Sequence, residues 1–337
     1  MTATSRELAR AGINAELHDM PNYKINNWRQ RMLRPVDTSL ILINSKGSQT
    51  RFDLPHGPGW PGDLPILTQP TVIHMVHSFS MQTPTNEGTI GGRLLARGVY
   101  AYAGSVDEPY LNAFVPSPLI ARRLVGSMNF GVAVRYDDGN VWKIAVLGDP
   151  LITLGTAGSR LELSMNIVEF VDISERVSVR VKSNDFAGAI SDLVMLGRDH
   201  DAARLAKALM SDRPEVFTTQ CARAAIPALF RDWNSTEVLD AFERLSIEDR
   251  NSLLLQDILW FSGRALLARK QDLRVEALLR ANLRRAQELG DAEELAMFIR
   301  RRSIPDSVAV LESLRITMTA ENQRAAIDAA IKRVRGR

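Results

Sequence analysis

The stretch Thr71–Leu154 decides the fold of this chain. It opens with a β-rich run, TVIHMVHSFSM (71–81), followed by a Gly-Gly-led amphipathic segment, GGRLLARG (91–98). A second apolar run, VYAYAGS (99–105), comes next, and the stretch closes with WKIAVLGDPLITL (142–154). The order reads as strand, helix, strand, helix, strand, which predicts a parallel sheet covered by helices. The expected strands are 71–77, 99–103 and 143–147. In such sheets chemistry gathers at the C-terminal ends of the strands. The first strand ends at His77, Ser78 and Ser80, which makes them the leading candidates for a reactive site.

Upstream, residues 1–36 carry a short helical pattern, SRELARAG, and a polar segment, HDMPNYKINNWRQRMLRP. A further strand, SLILINSKG (39–47), precedes a loop, DLPHGPGWPGDLP (53–65). Four Pro and three Gly in that loop argue against regular structure. A loop that long in a compact domain is functional or covers something.

Beyond residue 159 the character changes. LELSMNIVEF (161–170) and RVSVRVKS (176–183) alternate apolar and polar residues, which predicts antiparallel strands, a hairpin or connecting element over 159–183. From Asn184 to Arg337 apolar residues recur at helical spacing. Val275, Leu278, Leu279, Leu283, Ala286 and Leu289 read as one stripe. Breaks at 212–214, 232–235, 290–291 and 304–305 delimit about seven to nine helices. Successive amphipathic helices with short links predict helical hairpins stacked as in a solenoid, or an irregular bundle. The expected organisation is an α/β domain over 1–158, the connecting strands over 159–183, and an all-α domain over 184–337.

Composition bounds what the chain can do. Its 337 residues are 45% hydrophobic and 24% charged, ordinary for a soluble protein of two or three domains. A net charge of +3 is too small to argue for nucleic acid without a concentrated basic face. The single cysteine, Cys221, precludes an intrachain disulfide and fits a reducing compartment. The N-terminus MTATSRELARAG has no signal-peptide core, and no run approaches the ~18 apolar residues of a membrane helix. The expectation is a soluble, cytoplasmic protein with no membrane partner.

The pieces TVIHMVHSFS, GGRLLARGVYAYAGSVDEPYL and VLGDPLITL resemble the second half of a caspase-like domain, nearest to the gingipain-type cysteine peptidases. In that family a strand ends in the catalytic cysteine, a helix follows, and the next strand leads into a Gly-Ser turn. The domain closes near Gly-Asp-Pro. The resemblance covers about a quarter of the chain closely, and it implies a partial caspase-like α/β sheet. It also implies a nucleophile position at about His77 or Ser78, where no cysteine stands. The family's histidine follows the preceding strand, and that place reads Asn44-Ser45-Lys46-Gly47. His56-Gly57 is a His-Gly pair about ten residues later. With only some 36 residues ahead of SLILINSKG, the first strands of a full sheet are missing. The chain then reads as a truncated version of a longer parent.

Each candidate has a structural reading beside the chemical one. His74 and His77 form an H-x-x-H pair, but three residues apart on a strand they point to opposite faces, so a shared metal is not expected. His77 is a candidate base, against a hydrogen-bonded histidine under the loop. Ser78 or Ser80 could act as nucleophile with His77 or His56 as base and Asp107 or Glu108 as acid. The alternative is polar residues that fix the loop. Gly91-Gly92 and Gly104-Ser105 match no phosphate-binding fingerprint, and no cofactor is expected. They read as sites of close helix–sheet packing. Cys221 sits in an apolar helix as an inert thiol. Arg280, Arg284, Arg285 and Arg300–Arg302 form a basic cluster, read first as solvated helix faces. The expected function is a non-catalytic, degenerate peptidase-like module joined to a helical domain that binds a protein partner. The alternatives are an active hydrolase and a nucleic-acid-binding helical array.

Overall fold

The structure is a computed structural model, and it describes residues 3–18, 22–136, 143–154, 168–285 and 287–336. The chain divides into two compact units, Met1–Met165 and Asn166–Arg337.

In the first unit two short helices, α1 (Ala3–Arg10) and α2 (Ile25–Met32), precede β1 (Leu40–Asn44). A small meander follows, β2 (Lys46–Ser48), β3 (Arg51–Leu54) and β4 (Gly57–Gly59), antiparallel in that order. Then come β5 (Val72–Val76), α3 (Ile90–Ala96), β6 (Ala101–Ser105), α4 (Ser117–Val125), α5 (Phe130–Ala133) and β7 (Ile144–Gly148). The main sheet has the order β1-β5-β6-β7. β1 and β6 flank β5 in parallel, with Leu40 opposite Val72 and Val72 opposite Ala101.

Two expectations are corrected here. β7 is antiparallel to β6, Ser105 facing Ile144 and Ala101 facing Gly148, so the sheet is mixed. The excursion through α4 and α5 returns the chain to the end where β6 finishes. Phe130 and Gly131 then donate backbone N–H groups to Ile152 and Pro150, just past β7. The Pro/Gly loop is also more regular than expected. Residues 57–59 form β4, and Pro61–Asp63 form a 3-10 turn. Pro58 is tolerated because β4 is the outer strand of its meander, where a missing N–H leaves no ladder bond unmade.

β5 is buried along its whole length, as a central parallel strand should be. Val72, Ala101 and Ala103 pack on one face against Val115, Ile120, Leu124 and Phe130. On the other, Met75 meets Tyr102. A Cβ at Gly91 would stand 2.7 Å from the Ser80 carbonyl oxygen, and one at Gly92 would collide with the Asn86 backbone. The Gly-Gly pair therefore lets α3 close onto the end of β5.

The second unit is helical: α6 (Val168–Lys182), α7 (Phe186–Met195), α8 (Asp199–Asp212), α9 (Thr219–Arg231), α10 (Ser235–Glu243), α11 (Ile247–Arg250), α12 (Leu253–Arg269), α13 (Leu273–Ala281), α14 (Glu288–Arg300), α15 (Ile304–Thr317) and α16 (Glu321–Arg335). The extensive contacts join helices close in sequence, α6 with α7, α8 with α9, α14 with α15. This is the pattern of stacked hairpins.

RVSVRVKS is helical, not a strand. Its period-2 pattern is overridden because Arg176 and Arg180, four residues apart, both reach Asp192 on α7, at 2.7 and 3.0 Å. Val179 stays exposed as a result. Residues 161–167 of the expected first strand lie outside the described residues. Gly290-Asp291 is no break either, since α14 runs through it. The stripe 275–289 instead breaks after Ala281, where the chain turns to bury Arg284. The helical unit, residues 168–336, should melt cooperatively when expressed alone, followed by circular dichroism. A broad, non-cooperative transition would mean that its core is completed from elsewhere.

Candidate functional site

The C-terminal ends of β1 and β5 lie side by side, with Asn44 opposite Val76. The residues that follow each strand meet there. Ser45 continues the ladder by donating its N–H to the Val76 carbonyl. That places the Ser45 hydroxyl 2.9 Å from Nδ1 of His77. The other ring nitrogen, Nε2, is 2.9 Å from the Ser48 carbonyl on the β2–β3 hairpin. A carbonyl only accepts, so Nε2 carries the proton and Nδ1 accepts from Ser45. The ring is fully buried, and that desolvation lowers its pKa below the ordinary histidine value, opposed by the Ser48 hydrogen bond and by the Asp53 and Glu108 charges. His77 is therefore held as a neutral imidazole by one hydroxyl and one main-chain carbonyl.

The neighbouring candidates do not converge on it. Ser78 donates its hydroxyl to Glu108 Oε1 at 2.9 Å. Phe79 adopts a left-handed backbone, φ 61°, and its N–H reaches the Asp107 carbonyl at 3.4 Å. The kink turns Ser80 inward, where its hydroxyl is buried beside the Tyr102 phenol. Burial pushes that phenol's pKa upward. Ser105 Oγ donates to the His77 carbonyl at 2.6 Å, and Met81 N–H donates to the Ser105 carbonyl, bracing the turn from β6. His56 sits exposed at the β3–β4 turn with φ 69°. Neither Ser78 nor Ser80 is hydrogen-bonded to a histidine here, so the alternative Ser78 or Ser80 triad is not assembled in this structure.

His74 lies on the face of β5 opposite His77, edge-on to Phe114 at 6.0 Å. Both its ring nitrogens are buried without a hydrogen-bond partner, and desolvation lowers its pKa to about 4. Among the described residues no cluster of three or more His, Cys, Asp or Glu could hold a metal.

In the helical unit members of the basic set differ in their surroundings. Arg284 is buried, with Nη2 2.6 Å from Asp291 and Nη1 3.2 Å from Asp257. Arg302 pairs with Glu276 through both guanidinium nitrogens at 2.8 Å, and Arg280 donates to Ser313 at 2.7 Å. Arg284 thus belongs to the interior of the unit and not to an exposed basic face. Cys221 is buried on α9, its thiol 3.7 Å from the Val216 carbonyl.

The member of this constellation that sequence reasoning missed is Ser45. It meets His77 only because the β1–β5 register brings together two strand ends 32 positions apart. No protein-family model, curated protein or solved structure matches the chain.

Proposed function

We propose that the first unit is a non-catalytic, degenerate peptidase-like module of the caspase type, joined to a helical unit that binds a protein partner. One observation carries the reading. The histidine at the strand end is buried and spent on holding the β2–β3 hairpin, with Ser45 on one nitrogen and a main-chain carbonyl on the other. A general base needs access to substrate and, in a Ser-His-acid triad, a carboxylate behind its second nitrogen. His77 has a peptide oxygen there. Ser78 and Ser80 are engaged or buried elsewhere. In the helical unit Ile247, Leu273 and Ile316 expose most of their apolar surface, which the protein-binding reading assigns to a partner. A cytoplasmic setting belongs to the proposal and is supported by the single, buried thiol. No helix among the described residues is long and apolar enough to cross a membrane.

The second reading is a hydrolase with Ser45 as nucleophile and His77 as base, favoured by the 2.9 Å contact between them. A serine-directed fluorophosphonate separates the two. The expected result is no labelling of the native chain, and none by a thiol-directed probe. Stoichiometric labelling that disappears in Ser45→Ala, Ser78→Ala or Ser80→Ala would replace the non-catalytic reading with the hydrolase.

A further inference from the structure

β1 is an edge strand of the described sheet. Among the described residues its partner in the sheet is β5 alone. The Ser39 carbonyl accepts from Val72 N–H, and Ser45 N–H donates to Val76. In a parallel ladder alternate residues bond the neighbouring strand, so 39, 41, 43 and 45 face β5. Leu40, Leu42 and Asn44 turn their N–H and C=O groups away from it. Of these, the Leu40 carbonyl takes a local bond from the Thr38 hydroxyl at 3.2 Å. β1 reads LILIN, without a charge, a proline or a bulge. Edges exposed to water usually carry one of these to prevent pairing. Leu40 and Leu42 are only partly covered by the core they touch.

We propose that β1 pairs with β1 of a second copy of this chain, antiparallel about a two-fold axis at Leu42. Leu42 then exchanges both backbone bonds with its counterpart, and Leu40 exchanges with Asn44 of the other copy. Three residues per copy give about six hydrogen bonds and one continuous sheet through both molecules. The ends of the strand argue for this occupant. Asp37 precedes β1 and Lys46 follows it, and both are exposed. Antiparallel self-pairing lays the acidic end of each copy beside the basic end of the other, twice. A strand pairing in parallel would set like charges together. The strand that fits must be uncharged and aliphatic along its length and carry opposite charges at its two ends. β1 itself has that chemistry.

Sedimentation equilibrium of the full chain tests the pairing. The expected result is a monomer–dimer equilibrium. Leu42→Lys and Asn44→Pro should each shift it to monomer. Asn44→Pro removes only an outward-facing N–H, so it leaves the β1–β5 ladder and the circular-dichroism melt intact. Asp37→Lys and Lys46→Asp should each weaken the dimer about tenfold, by turning attraction into repulsion at both ends. The double variant should restore it. A chain that stays monomeric at its highest soluble concentration overturns the proposal. So does a dimer indifferent to these substitutions, which would use another surface. A monomer that accepts an unrelated aliphatic peptide along β1 also overturns it, because the occupant is then another protein.

Discussion

Replacing Arg284 by methionine is expected to destabilise the helical unit by about 3–5 kcal/mol, the loss typical when one partner of a buried ion pair is removed. Arg284 is 2% exposed, and Asp257 and Asp291 are 1% exposed. Its Nε and backbone N–H both reach Asp291 Oδ2, at 3.0 and 2.9 Å, while Gln287 donates to Oδ1 at 3.1 Å. Trp260 lies against the guanidiniums of Arg264 and Arg284, at 5.4 and 5.1 Å from its ring centroid, and donates Nε1–H to the Asn282 carbonyl. Methionine fills much of the volume, but it removes the cation that Asp257 and Asp291 share, leaving Asp291 the more distant Arg264 at 3.8 Å. Adding Asp257→Asn and Asp291→Asn to Arg284→Met should recover part of the loss, since the cost lies in the uncompensated charges rather than in packing. Denaturant unfolding followed by circular dichroism measures both. A loss below ~1 kcal/mol for the single variant would mean that water reaches the cluster and screens it.

Acid should destabilise the first unit well before its carboxylates protonate, and His74 should account for much of that. In the unfolded chain its imidazole titrates near 6.5, and in the fold near about 4. Between these values the unfolded state takes up a proton that the native state refuses, so stability falls as pH falls. The contribution is whole above pH 6.5 and gone below about pH 4. At full size the shift corresponds to about 3 kcal/mol. His77, also shifted downward by burial, adds in the same direction. His74→Leu should remove the His74 part of the acid slope and raise stability at pH 7 by about 1–2 kcal/mol, because two unpartnered nitrogens leave the core. Stability measured from pH 4 to 8 in both proteins decides it. An unchanged acid slope in the leucine variant would show that His74 is already hydrated in the native state.

Much of the central sheet was readable in advance. VIHMV is apolar on both sides of its pleat, and the Gly-Gly-led helix beside it needed no distant information. The direction of β7 was not readable, because an apolar run such as IAVLG carries no sign of which way it is entered. That depends on how α4 and α5 fold back. RVSVRVKS misled for a related reason. Its alternation is real, but the two arginines answering Asp192, twelve and sixteen residues away, outweigh it. Of the site, His77 was readable as a buried, satisfied histidine. Its partner Ser45 was not, because the contact spans 32 positions and exists only through the β1–β5 register. The arginine cluster looked like a surface because charge in a helix usually is one. Arg284 is the exception that needs two carboxylates arriving from α12 and α14.

The Pro/Gly stretch between Asp53 and Pro65 has a consequence for motion. Its carbonyls are taken by side chains from outside it. Arg97 donates to those of Leu64, Pro65 and Gly62, Trp28 to that of Asp63, and Arg29 to that of Pro58 and to the Asp63 carboxylate. Swinging this segment outward would strand a buried guanidinium and several acceptors at once, at a cost of several kcal/mol. Ordinary loop excursions on the nanosecond scale do not meet such a cost, and it belongs with rare sub-global openings. Proline and glycine here spell a fixed wall rather than a door.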